Sequence, residues 1–108
     1  MAGRLDALDD PDYPAHTTGR AAEVLGVRQA FLRSLDAAGA VRPARSAGGR
    51  RRYSRRQLAF AARIRELLDH GHTLAAARQI LALEDDLAAE RALTARLHER
   101  PGEKNGNS

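Results

Sequence analysis

Leu, Ala, Val and Ile recur along the middle of this chain at three- and four-residue spacing, the period of helices with one buried face. Thr17 or Thr18 is placed to cap a short helix running to Leu25, with Ala21, Ala22 and Leu25 inward. Gly26-Val27 makes a tight break. A second helix is predicted over Arg28–Ala38, its apolar side formed by Phe31, Leu32, Leu35 and Ala38, and Gly39 ends it. The stretch Ala40–Tyr53 changes character. Val41 and Tyr53 are strand-like ends, and Pro43 and Gly48-Gly49 interrupt the span between them, as in an open β-hairpin. Ser54 with Gln57 forms the capping pattern S-x-x-Q ahead of a third helix, which carries Leu58, Ala61, Ile64 and Leu68 and stops at Gly71. Thr73 caps a fourth, with Leu74, Ala77, Ile80 and Leu81. Residues 84–100 either continue it or restart as a fifth helix. There Leu83, Leu87, Leu93 and Leu97 align only roughly, because Glu90 and Thr94 occupy seam positions of a strict heptad.

The predicted fold is mainly α: two helices, a small β-hairpin, two further helices and a C-terminal helix. Residues 1–15 read as a flexible acidic arm, disordered or loosely docked, 16–83 as the folded domain, 84–100 as the C-terminal helix and 101–108 as a disordered tail. With 108 residues and 4% aromatic content, the core must be aliphatic. The absence of Cys excludes disulfides and thiolate metal sites. No apolar run is long enough to span a bilayer, and the N-terminus lacks the order of a signal peptide, so a cytoplasmic, nucleoid-associated setting is expected.

Charge sharpens the picture. The net +4 conceals −3 over residues 1–17, +9 over 18–83 and −2 over 84–108. A general preference for Arg over Lys accounts for seventeen Arg against one Lys, but not for their clustering. Arg42, Arg45, Arg50, Arg51, Arg52, Arg55 and Arg56 place seven cations in 15 residues with no acid between them. Such a basic centre calls for a polyanion. Two short helices, a basic hairpin and more helices follow the order of a winged helix-turn-helix. The second helix fits the major groove, where Arg28, Gln29 and Arg33 reach base edges, and the hairpin arginines neutralise phosphates.

The segments T-T-G-R-A-A-E-V-L-G-V, F-L-R-S-L-D-A-A-G-A-V, G-G-R-R-R-Y-S-R-R-Q-L and H-G-H-T-L-A-A-A-R-Q-I-L resemble the MerR superfamily in order and spacing over residues 16–83, and more weakly to about 97. Within it, P-A-R-S-A-G-G-R-R-R-Y-S looks most like the HspR-type heat-shock repressors of actinobacteria. The resemblance implies that Arg33 is the DNA-contacting arginine of the recognition helix, and that Arg51 and Tyr53 form an R-x-Y phosphate grip. Tyr53 is expected to pack its ring while its hydroxyl faces a phosphate. Phe31 stands where the family has Thr, and Arg28 replaces a Ser or His cap. Phe31 either touches a thymine methyl or belongs to the core. The expected DNA-binding set is Thr17, Arg28, Gln29, Ala30, Phe31, Arg33, Arg42, Arg45, Arg50, Arg51, Arg52, Tyr53 and Arg55.

Other groups have plainer readings. Arg63, Arg65 and Arg78 read as ordinary helix-surface charges, and His70 and His72 as helix-end histidines beside Gly71. Glu84, Asp85 and Asp86 read as a solvated helix start, with no nucleophile, base or phosphate loop to make an enzyme. No cofactor or metal is expected. Leu83, Leu87, Leu93 and Leu97 either dimerise the chain, as the resemblance implies through an antiparallel coiled coil, or fold back onto the monomer. The expected partners are double-stranded promoter DNA, a second copy, and a protein co-regulator or RNA polymerase. The HspR likeness favours repression at an inverted repeat, and the wider likeness permits activation by promoter distortion. The rival readings are an architectural, excisionase-like protein binding cooperatively to direct repeats, and an adaptor gripping an acidic protein.

Overall fold

The computed structural model describes residues 9–99. Its elements run β1 (His16–Thr17), α1 (Thr18–Leu25), α2 (Gln29–Ala37), β2 (Ala44–Arg45), β3 (Arg51–Tyr53), α3 (Arg55–Asp69) and α4 (Leu74–His98). The first eight residues of the expected acidic arm, and the expected tail at 101–108, lie outside the described residues.

Helices α1, α3 and α4 begin where a hydroxyl takes up an orphan amide. Thr17 Oγ1 accepts from Arg20 N–H at 3.1 Å and Thr73 Oγ1 from Ala76 N–H at 3.1 Å. Ser54 and Gln57 form the reciprocal capping box, at 3.1 and 3.0 Å. By contrast, α2 starts at Arg28 with no side-chain cap. Helices α1 and α2 both end on a left-handed glycine. At Gly26 (φ 69°) the Val27 amide reaches back to Ala22 O at 3.0 Å, which turns Val27 inward. At Gly39 (φ 75°) the Ala40 amide reaches Leu35 O at 2.9 Å. A side chain at Gly39 would also come within 3.1 Å of the Arg42 guanidinium.

The expected hairpin is present, but it belongs to a three-stranded antiparallel sheet of order β1-β3-β2. Thr17 and Ala44 both pair with Arg52, from opposite sides, and His16 pairs with Tyr53. A two-residue strand leaves no periodicity to read, so β1 was invisible in the sequence pattern. Ala21, Ala22, Leu32, Leu35, Val41, Tyr53, Leu58, Ala61, Ile64 and Leu81 form one buried cluster where α1, α2, α3, β3 and the start of α4 meet. Tyr53 is the one aromatic side chain fully buried there.

Two expectations change. Residues 84–98 continue α4 without a break, so Glu84, Asp85 and Asp86 lie within a helix of 25 residues and do not start one. Every described residue from 82 to 99 is exposed, so this part of α4 does not fold back onto the core. The end of the acidic arm is docked, one of the two expected readings. Pro11 O accepts from Arg56 N–H at 2.9 Å, and Asp12 Oδ1 accepts from Arg56 Nε at 2.7 Å. Among the described residues, no helix is long and apolar enough to cross a membrane.

Candidate nucleic-acid interface

Gln29 and Arg33 stand one helical turn apart on the outer face of α2, their side chains 3.5 Å from one another. Beside them the β2–β3 turn is closed by Gly49 N–H to Ser46 O at 2.8 Å and Ser46 N–H to Arg50 O at 2.8 Å. Helix, turn and sheet enclose an open concavity of about 410 Å³, lined by Thr17, Thr18, Gln29, Arg33, Arg45, Gly49, Arg50, Arg51 and Arg52. Five of these nine residues are arginines and none carries a carboxylate. With low-dielectric walls behind it, such a surface concentrates positive potential toward solvent.

One acid ties the wing to α2. Asp36, on α2, accepts from Arg51 Nε on β3 at 2.7 Å and lies 3.5 Å from Arg45 on β2. The Asp36–Arg51 pair is mostly enclosed, with side-chain exposures of 19% and 28%. Part of the Arg51 guanidinium is therefore committed to holding the wing against the helix. Asp36 is the only acid between Glu23 and Glu66, a signal that could have found this role from sequence.

Tyr53 requires a correction. The side chain is 0% exposed and its hydroxyl is enclosed, so the expected phosphate contact is not available to it. Burial raises its phenol above the ordinary range, while the Thr18 side chain and Arg51 pull it back. Thr18 lies near enough to influence the hydroxyl without forming a well-aligned hydrogen bond.

The remaining expected contacts are dispersed. Arg28, Ala30 and Phe31 line a different concavity, of about 700 Å³, with Leu25, Gly26, Val27, Arg65 and Asp69. Phe31 packs against the core, and the Arg65 guanidinium stands 4.8 Å from its ring centre. The core reading of Phe31 is thus the one the structure favours. Arg42 lies over Gly39, and its carbonyl accepts from Gln57 Nε2 at 2.7 Å. Arg55 donates to Asp9 O at 2.6 Å. Asp12 holds Arg56 above its ordinary range, chiefly through their hydrogen bond.

The three arginines expected to be plain surface charges are connectors. Arg63 on α3 bonds Glu84 at 2.8 Å and Asp85 at 3.3 Å on α4. Arg78 on α4 donates to Ala38 O and Gly39 O at 3.2 and 3.3 Å, where the carbonyls at the end of α2 would otherwise go unpaired. Arg65 pairs with Asp69 at 2.7 Å while covering Phe31. At the end of α3, His70 Nδ1 lies 2.8 Å from Glu66 O, in keeping with the helix-end reading.

Comparison with known proteins agrees with this geometry. The chain is similar to a Streptomyces coelicolor protein described as a heat shock protein, HspR. The two are 36% identical over 87 residues, which cover 80% of this chain and 58% of that one. This chain therefore aligns with little more than half of its relative's length. The MerR HTH family regulatory protein pattern matches residues 16–84, from β1 through the turn of α4 that carries Glu84. The chain belongs to the MerR helix-turn-helix family of regulatory proteins.

Proposed function

We propose that the protein is a sequence-specific regulator that binds double-stranded promoter DNA, with α2 in the major groove and the β2–β3 wing along the flanking backbone. One observation carries this reading: the concavity between α2 and the wing is lined by five arginines and no carboxylate. Gln29 and Arg33 on its helical wall are suited to base edges, and Arg45, Arg50 and Arg52 on the wing to phosphates. Arg51 contributes mainly by setting the wing, through Asp36.

The exposed Leu83, Leu87, Leu93 and Leu97 support a homodimer, and two-fold symmetry then matches an inverted repeat. The resemblance of the wing segment to HspR-type repressors favours repression, and the relative's name adds a link to heat shock. A cytoplasmic, nucleoid-associated regulator with a protein co-regulator or RNA polymerase as a further partner fits the same reading, and catalysis has no place in it.

Footprinting on genomic fragments at several salt concentrations is the test. One short protected inverted repeat, with affinity falling steeply as salt rises, supports the proposal. Protection that spreads along the DNA indicates an architectural role, and no protection at low salt overturns DNA binding altogether.

A further inference from the structure

Asp9 to Ala15, which lead into β1, carry three carboxylates and no base. The segment is turned on itself. Asp10 Oδ1 accepts from Asp12 N–H at 2.8 Å, and Asp10 O accepts from Tyr13 N–H at 3.1 Å. The turn lies against the first residues of α3. There Pro11 O accepts from the Arg56 amide at 2.9 Å, Asp12 Oδ1 from Arg56 Nε at 2.7 Å, and Asp9 O from Arg55 Nη2 at 2.6 Å. Asp12 and Asp10 both add negative potential at Arg56. Two carbonyls and a carboxylate thus take up one backbone amide and two guanidinium groups, donors equally suited to phosphate oxygens.

What holds the segment is polar and open to water. Residues 9–13 are all exposed, and the side chains of the Arg56–Asp12 pair are 66% and 62% exposed. Among the described residues, the core cluster and the apolar side chains packed on it include none from this segment. An exposed ion pair of this kind shifts an equilibrium by no more than about fivefold, and salt weakens it further. Lifting the segment away from α3 therefore costs little and leaves the core intact.

The place it covers adjoins the arginine-lined concavity. The segment runs directly into β1, where Thr17 pairs with Arg52, and both residues line that concavity. Arg55 stands three positions beyond Arg52, a separation of at most about 11 Å. Each strand of DNA carries a charge every ~3.4 Å of axis, so a backbone seated on Arg52 has further phosphates within reach of the start of α3. We infer that the acidic segment is an internal competitor for nucleic acid, a removable cover whose carboxylates contend with DNA phosphates for Arg55 and Arg56. This rests on the DNA-binding reading above and adds a restraint to it. With the segment in place, two cations of the arginine stretch are withheld. With it displaced, they join the interface.

The test uses the full chain and a short DNA duplex of arbitrary sequence at low salt, where phosphate contacts suffice for binding. Asp9→Asn, Asp10→Asn and Asp12→Asn together keep an oxygen acceptor at each position and remove the charge. This triple variant should bind about three- to tenfold more tightly than the unaltered protein at low salt. Its salt slope should be steeper by about 1 to 2 as Arg55 and Arg56 join the contact. Removing three negative charges favours any polyanion to some degree, so the deciding comparison is a double-mutant cycle. In an Arg55→Ala, Arg56→Ala background the same three substitutions should change affinity by less than about twofold. An equal gain in both backgrounds overturns the inference, because the carboxylates then act through overall charge alone. An unchanged affinity with a lower unfolding temperature also overturns it and makes the segment a structural strap. If neither the unaltered protein nor the triple variant binds the duplex at any salt concentration, the DNA-binding reading itself falls. If both bind with equal affinity and slope, only the cover does.

Discussion

Arg50 and Arg52 lie within the arginine stretch and Arg55 and Arg56 close it, a few residues apart, yet they meet different surroundings. The first two line the open concavity beside α2. The second two are occupied by the chain itself, Arg55 by Asp9 O and Arg56 by Asp12. Composition cannot tell these pairs apart. What separates them is the acidic segment before β1, which the fold lays against the start of α3. A positive charge serves a foreign polyanion most readily where its own chain offers it no carboxylate.

The largest test of that contrast is a pair of double substitutions. Arg50→Ala with Arg52→Ala should weaken DNA binding by about 10- to 100-fold and reduce the salt slope by about 2, as expected for two lost phosphate contacts. Arg55→Ala with Arg56→Ala should cost much less and change the slope by under 1. Equal losses, measured by anisotropy across a salt series, would erase the distinction.

Asp36 and Asp12 extend the comparison to the carboxylates. Asp36→Ala leaves the half-buried Arg51 without its partner and frees the wing from α2. Thermal unfolding should show a loss of about 1–2 kcal/mol, together with weaker DNA binding. Tyr53 tests the floor beneath the interface. Its phenol is harder to ionise when buried, so its contribution to stability is complete below about pH 10, where the unfolded tyrosine is still neutral, and is lost as pH rises further. Tyr53→Phe should match or exceed the parent's stability at neutral pH by up to about 1 kcal/mol, since it removes an enclosed hydroxyl with no well-aligned partner. It should also lose less stability than the parent between about pH 9 and 11. A lower Tm at neutral pH would show that the hydroxyl is well bonded after all. The smallest effect belongs to the arm. Asp12→Asn releases Arg56 and should raise DNA affinity two- to threefold at low salt, an increase that vanishes at high salt. No change at low salt would mean that Arg56 lies beyond the reach of DNA.

Helix positions were legible because Leu32 with Leu35, Leu58 with Ala61 and Ile64, and Ala77 with Leu81 repeat with the helical period and Thr17, Ser54, Thr73 and Gly39 punctuate them. The site was legible in outline, since Gln29, Arg33 and the hairpin arginines do come together. What stayed hidden depends on which side chains meet across elements. Arg51 looked like a free cation because Asp36 lies 15 positions earlier in the chain. Tyr53 looked half-exposed because nothing local says that β1 will pair beside it and close the sheet. Arg28 and Phe31, close in sequence to Arg33, point elsewhere because neighbouring positions on a helix do not share a face.

Arg78 has one more consequence. It joins α4 to the last carbonyls of α2, and the exposed leucines begin only five residues later. The helix that presents the leucines is thus bolted to the helix that lines the arginine-rich concavity, and its length becomes a measure of distance. From Arg78 to Leu97, the last exposed leucine, the rise is about 28 Å. One residue inserted in that interval would lengthen the rod by about 1.5 Å and rotate everything beyond it by about 100°. In this architecture the number of residues between Arg78 and Leu97 is a mechanical dimension, and the leucines can change more freely than their count.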